Sequence, residues 1–190
     1  CTIQQNPWRD LEEKVKALQP DVIGISTICT HFLKDTLDAA RLVKEASPNS
    51  IVLVGGGQPS LIPEELLRKC REIDFICVGE GEITLHEFLS AIEKKQDVTE
   101  IKGIAHLNET DAFVFIGHRP LIEDLDTLPM PAYHLYNMEH PYIGLPSEGE
   151  RAFLVNFARG CPYDCSFCSE AVFWQNRWRS RSPADRKSVV

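Results

Sequence analysis

The chain has 190 residues, 43% of them hydrophobic and 25% charged, with a formal net charge of −8. Apolar residues this frequent and evenly spread exclude disorder as the main state, and no apolar run approaches the roughly 20 residues of a membrane span. The acidic balance argues against a nucleic-acid surface, and with such short apolar runs no membrane partner is expected; the one basic cluster, Arg177, Arg179, Arg181, Arg186 and Lys187, reads as a solvated loop.

Strand and helix signals alternate along the first hundred residues. Trp8, Leu11, Val15 and Leu18 recur at helical spacing, and residues 21–26 (DVIGIS) follow as a short apolar strand. Leu33, Leu37, Ala40 and Val43 mark a helix that ends near Ser47-Pro48. Residues 51–54 form a buried strand, and Pro63 opens a short helix with Glu64 and Glu65 in its first turn, where the helix dipole favours acids. Residues 74–78 are the next strand, and Leu85, Phe88, Leu89 and Ile92 line one face of the helix after it.

Strands apolar throughout, separated by amphipathic helices, predict an α/β domain: a doubly wound, flavodoxin-like parallel sheet covered on both faces. In such sheets ligands bind beyond the carboxyl ends of the strands. Those ends read Ser26-Thr27, Gly55-Gly56-Gly57 and Gly79-Glu80-Gly81-Glu82, small residues that let a ligand lie close to the backbone. Each taken alone is also what a tight βα turn requires.

The pattern changes after Lys95. Residues 104–108 and 112–116 flank Glu109-Thr110-Asp111 as a β-hairpin. Residues 119–146 carry five prolines and read as an ordered linker anchored by Tyr133, Leu135, Tyr136 and Tyr142. Residues 152–157 are one more strand, leading into Arg159-Gly160-Cys161. The expected division is 1–98, a Rossmann-like domain; 99–150, hairpin and linker; and 151–190, a cysteine-bearing unit.

The chain has seven cysteines, and no signal peptide is visible, so a reducing, cytoplasmic setting is expected rather than a disulfide framework. Cys161, Cys165 and Cys168 have the spacing C-x3-C-x2-C, and three thiolates this close can converge on one metal centre. Iron–sulfur clusters are held by such thiolates, and three on a four-iron cubane leave one iron open. Zinc is the alternative; a closed zinc site needs a fourth ligand, and the nearest histidines are His134 and His140.

The segment CPYDCSFC resembles the signature of the radical S-adenosylmethionine (radical SAM) superfamily, with Phe167 as the aromatic residue before the last cysteine. PDVIGIS, VGGGQPSLIPEEL, DFICVGEGE, LDTLPMPAY and RWRSRSP resemble, in order, its cobalamin-dependent subgroup. The resemblance implies a cobalamin-binding domain followed by the start of a (β/α) barrel. It implies a 4Fe–4S cluster on Cys161, Cys165 and Cys168, S-adenosylmethionine at the open iron near Phe167, and reductive cleavage to a 5′-deoxyadenosyl radical. It also implies an electron donor such as flavodoxin or ferredoxin, and transfer of a methyl group to, or rearrangement of, a small-molecule or peptide substrate. The cobalamin tail is then expected against Ser26, Thr27, Gly55, Gly56, Gly79, Glu80 and Gly81.

Two departures qualify the resemblance. The family's D-x-H-x-x-G loop is absent, leaving His31 without that context, and Gln58 stands where relatives often have His. The family pattern also places a strand, loop and helix ahead of Cys1 and most of a barrel of roughly 200 residues after the cysteines, so the chain is expected to be a fragment, inactive alone. The competing readings are a cobalamin or nucleotide carrier module with a vestigial metal loop, and a structural zinc protein.

Overall fold

The structure is a computed structural model that describes residues 6–135 and 156–187. These residues fall into two compact units, Cys1–Leu121 and Ile122–Val190. Among them, no helix is long and apolar enough to cross a membrane.

The first unit opens with helix α1 (Pro7–Leu18), where Asn6 accepts a hydrogen bond from the Trp8 amide at 3.2 Å and Pro7 fills the first turn. Leu11 and Val15 turn inward, while Leu18 stays 75% exposed at the helix end, outside the stripe predicted for it. Gln19 terminates α1 in the left-handed region, and its side chain donates to the Ala46 carbonyl (3.2 Å) at the end of α2 (Leu33–Ala46). The remaining elements are β1 (Val22–Ser26), β2 (Ile51–Gly55), α3 (Gly57–Leu61), α4 (Pro63–Lys69), β3 (Phe75–Cys77), α5 (Gly81–Glu93), β4 (Ile104–Leu107) and β5 (Phe113–Phe115). The one-turn helix α3 lies where the sequence suggested only a glycine turn.

The sheet has the order β1-β2-β3-β4-β5, with the first three strands parallel and the last two antiparallel. Alternation sends Val52, Val54 and Ile76 to one face, against Val15, Leu37, Ala40, Val43, Leu66 and Leu67. Leu53, Cys77 and Ile104 go to the other, against Phe88, Ala91 and Val98. Each fully buried side chain of this kind contributes about 1.5–3 kcal/mol, so both faces stabilise the sheet.

Two expectations need correction. The hairpin, assigned to a linker, pairs through β4 with the free edge of β3 (Phe75↔His106) and belongs to the same sheet. The buried face of α5 is Thr84, Phe88 and Ala91, whereas Leu85 and Leu89 are 39% and 43% exposed. The reason is polar: buried Thr84 accepts from the Arg119 guanidinium at 2.9 Å, and a pattern drawn from apolar residues alone passes over it.

Two thiols are sealed into this unit. Burial pushes the Cys70 thiol up to about 11, helped by its hydrogen bond to the Glu72 carboxylate, and burial likewise pushes Cys77 up to about 11. The folded state therefore holds these protons after the unfolded chain, with ordinary thiols near 9.0, has begun to release them. Stability from this source is complete below pH 9 and falls as pH rises towards 11. Thermal denaturation between pH 8 and 11 should show a steeper loss in the wild type than in a Cys70→Ala, Cys77→Ala double variant; parallel curves would refute it.

In the second unit, β6 (Ala158–Arg159) pairs antiparallel with β7 (Arg179–Ser180), and α6 (Ser169–Trp174) lies between them in sequence. Of the strand expected at 152–157, residues 152–155 lie outside the described residues; within the described ones the Phe157 carbonyl accepts from the Arg181 amide at 2.9 Å, next to the paired Ala158 and Arg159. Of the expected linker anchors, Leu135 is exposed, and the side chains of Tyr133, Tyr136 and Tyr142 lie outside the description. Three of the five basic residues are tied into this unit rather than left as a solvated loop: Arg177 pairs with both carboxylate oxygens of Glu123 (2.6 and 2.7 Å), Arg179 donates to the Ile122 carbonyl, and Arg181 reaches the Leu128 carbonyl and Asp185, while the side chains of Arg186 and Lys187 lie outside the description. Arg179 and Arg181 are buried. Ser182 caps α7 (Pro183–Lys187) by accepting from the Asp185 amide at 3.1 Å.

Candidate functional site

The parallel register sets Ser26, Gly55 and Cys77 side by side, so the chain leaves all three strands along one edge. Beyond it the loops interlock. The Thr27 amide donates to the Gly55 carbonyl at 2.8 Å. Gly56 has φ +106, and a β-carbon there would lie 2.3 Å from the Thr27 carbonyl oxygen. At Gly57 a β-carbon would lie 3.0 Å from the Ile28 carbonyl oxygen. These glycines are required because the loop after β2 rests directly on the backbone of the loop after β1.

Gly79 differs. It has φ +86, yet nothing lies within 4 Å of the position a β-carbon would take. Its backbone faces open space, as a close-lying ligand requires. Glu80 follows at the N-cap of α5, and Gly81 opens that helix. Beneath, the Cys77 thiol is held neutral by burial and offers no thiolate to a ligand.

Thus Ser26, Gly55, Gly56, Gly79, Glu80 and Gly81 share one edge. Ser26 is exposed there, but the side chain of Thr27 is not: it is fully buried, 2.5 Å from the Thr36 hydroxyl, leaving only its backbone at the edge. His31 is exposed and packs edge-on against Phe32, with 5.4 Å between ring centres.

Sequence reasoning passed over three further residues. Thr30 donates to Gln58 Oε1 at 2.7 Å, joining the loop after β1 to α3. Thr36 receives Thr27 beneath the floor. Ser60 donates to the Gly56 carbonyl at 2.7 Å and accepts from the Gly79 amide at 3.0 Å. A serine four residues after a glycine in a short helix was the available signal, since such hydroxyls bond back to the carbonyl at i−4.

The cysteine loop leaves β6 through Gly160, whose φ is +89; a β-carbon there would lie 1.8 Å from the Arg177 carbonyl oxygen. The Cys168 amide donates to the Cys165 carbonyl at 3.0 Å, making a turn, and Cys168 is the N-cap of α6. Cys165 is exposed and Cys161 and Cys168 are half-buried. Phe167 is 91% exposed, and Tyr163 is also exposed. Among the described residues, no three His, Cys, Asp or Glu side chains stand close enough to hold a metal ion, so the three thiols share a loop without converging. Their donor set remains wholly sulfur, which suits a soft metal or an iron–sulfur cluster. His134 is exposed, and His140 lies outside the described residues.

Residues 1–89 match the B12 binding domain family. Over 95% of its length, the chain is 32% identical to an anaerobic magnesium-protoporphyrin IX monomethyl ester cyclase of Rubrivivax gelatinosus, covering 32% of that protein. Over 80% of its length it is 33% identical to the cobalamin-dependent radical SAM methyltransferase TokK of Streptomyces tokunonensis, covering 22% of it. In fold it is similar to the radical S-adenosylmethionine methyltransferase TsrM of Kitasatospora setae, solved with cobalamin and a [4Fe-4S] cluster bound. The TM-score is 0.70 at 19% identity, covering 97% of this chain and 37% of that one. The chain spans between about a fifth and two-fifths of the length of these proteins. A B12 binding domain in the first unit, followed by a C-x3-C-x2-C loop in the second, places the chain in the family of cobalamin-binding-domain radical SAM proteins.

Proposed function

We propose that the chain belongs to an enzyme that binds cobalamin on the first unit and a 4Fe–4S cluster with S-adenosylmethionine on the second, and that transfers a methyl group to an unactivated substrate. The observation that carries the reading is the interlocked edge formed by Thr27, Gly55, Gly56 and Gly79 at the ends of three parallel strands, with open space beside Gly79. It fits the cobalamin tail because the groups that meet a ligand there are backbone amides and carbonyls of small residues. Such a floor admits an elongated polar chain without displacing side chains.

Ser26, Gly55, Gly56, Gly79, Glu80 and Gly81 would lie along the tail, with Thr27 contributing backbone alone. Cys161, Cys165 and Cys168 would each supply a thiolate to a different iron, and Phe167 would cover one side of the cluster. When bound, the cluster supplies an electron to S-adenosylmethionine and the cobalamin supplies the methyl group. The protein's part is to hold these groups, orient them and exclude water. TokK is a methyltransferase, which favours methyl transfer; the likeness to a cyclase keeps rearrangement of the substrate as the alternative. The electron would come from a small redox protein such as flavodoxin or ferredoxin.

The test is uptake by the purified chain under anaerobic conditions. Equilibrium dialysis against hydroxocobalamin should leave one cobalamin per chain, and reconstitution with iron and sulfide should give a brown protein. A folded chain that takes up neither overturns the proposal; zinc retained in place of iron and sulfide would favour the structural zinc protein.

A further inference from the structure

We infer that Ser60 is a positioning residue of the cobalamin crevice, a hydroxyl that couples the loop after β2 to the loop after β3. The inference rests on the cobalamin reading above and extends it to a residue whose side chain serves the loops rather than the ligand.

Ser60 Oγ has one proton to give and gives it to the Gly56 carbonyl at 2.7 Å. Its lone pair accepts the Gly79 amide at 3.0 Å. Gly56 is already pressed against Thr27, so it cannot move without displacing the end of β1. Gly79 has the opposite character: its φ is +86, and no atom within 4 Å of its missing β-carbon limits where it goes. A glycine in that region, with open space beside it, has many conformations to choose from. The Ser60 hydroxyl transfers the rigidity of the Thr27–Gly56 contact to the Gly79 amide and so selects one of them.

Removing the hydroxyl leaves the Gly79 amide without its partner, and the loop then turns to seek water. A ligand lying along the edge would have to order that loop on binding, and its affinity falls by the corresponding factor. The hydroxyl of Ser50 is a natural control. It is fully buried, bonds the Pro20 carbonyl and Ser47 Oγ, and lies just before β2, at the opposite edge of the sheet.

The experiment compares the wild-type chain with Ser60→Ala, Ser60→Thr and Ser50→Ala, using hydroxocobalamin as the probe and amide hydrogen exchange of the free protein as a second readout. Ser60→Ala should bind hydroxocobalamin about tenfold more weakly. Its Gly79 amide should exchange faster while those of Ile76 and Cys77 keep their protection. Ser60→Thr, which retains the hydroxyl, should restore both readouts, and Ser50→Ala should lower the melting temperature without changing affinity. Wild-type affinity in Ser60→Ala, or an equal loss in Ser50→Ala, overturns the positioning role and leaves the cobalamin reading intact. A folded wild-type chain that does not take up hydroxocobalamin overturns both.

Discussion

Gly56→Val should abolish cobalamin retention and lower stability by about 4 kcal/mol. Two costs combine. With φ at +106, a β-branched residue is held in a region that costs on the order of 1–3 kcal/mol. Its β-carbon would also fall 2.3 Å from the Thr27 carbonyl oxygen, and that atom is backbone, so the loop after β1 must move. Domains of this size have roughly 5–15 kcal/mol in all, so the variant remains mostly folded but with its ligand edge deformed. Gly79→Ala separates the two costs: its φ is +86 but its β-carbon meets nothing, so only about 1–2 kcal/mol of backbone strain is expected. Thermal melts and equilibrium dialysis against cobalamin check both variants. Wild-type binding by Gly56→Val would move the cobalamin tail away from this edge.

Much of the first unit is legible in the sequence because its strands are short and apolar throughout and its helices are punctuated. Pro63 starts a helix where its N-terminal signal, with Glu64 and Glu65 behind it, says it should. Residues 51–54 can only be a buried strand between polar turns. What escaped has one cause: polar atoms buried because another residue satisfies them. Thr84 is hidden under Arg119, Thr27 is turned onto Thr36, and Arg179 and Arg181 are buried against the carbonyls of Ile122 and Leu128. Periodicity scores all of these as surface residues. The hairpin itself was legible, but its place in the sheet was not, since the open edge of β3 that recruits β4 is a property of the assembled sheet.

The candidate site divides in the same way. Glycines at strand ends announce an edge, but their spelling is the same whether a residue is tightly packed, as Gly56 is, or open, as Gly79 is. The hydroxyl that joins them belongs to a helix that the sequence did not suggest. The cysteine spacing, by contrast, needs no fold to be read, because three thiols within eight residues can reach one cluster by local rearrangement alone.

Replacing Cys161, Cys165 and Cys168 together with alanine should take the iron content after anaerobic reconstitution from about four per chain to near zero. Each single replacement should also prevent stable retention, since two thiolates leave two irons open to solvent. Cys29→Ala is the control: Cys29 is exposed but belongs to the first unit and not to the C-x3-C-x2-C segment, so iron should be unchanged. The replacements should alter the melting temperature of the metal-free chain little, because the three thiols are not buried in a core and none closes a metal site among the described residues. The cluster's binding free energy instead appears as a rise in melting temperature on reconstitution, present in wild type and Cys29→Ala and absent in the triple variant. Full iron in the triple variant would remove the cluster from this loop, and with it the second unit's part in the chemistry.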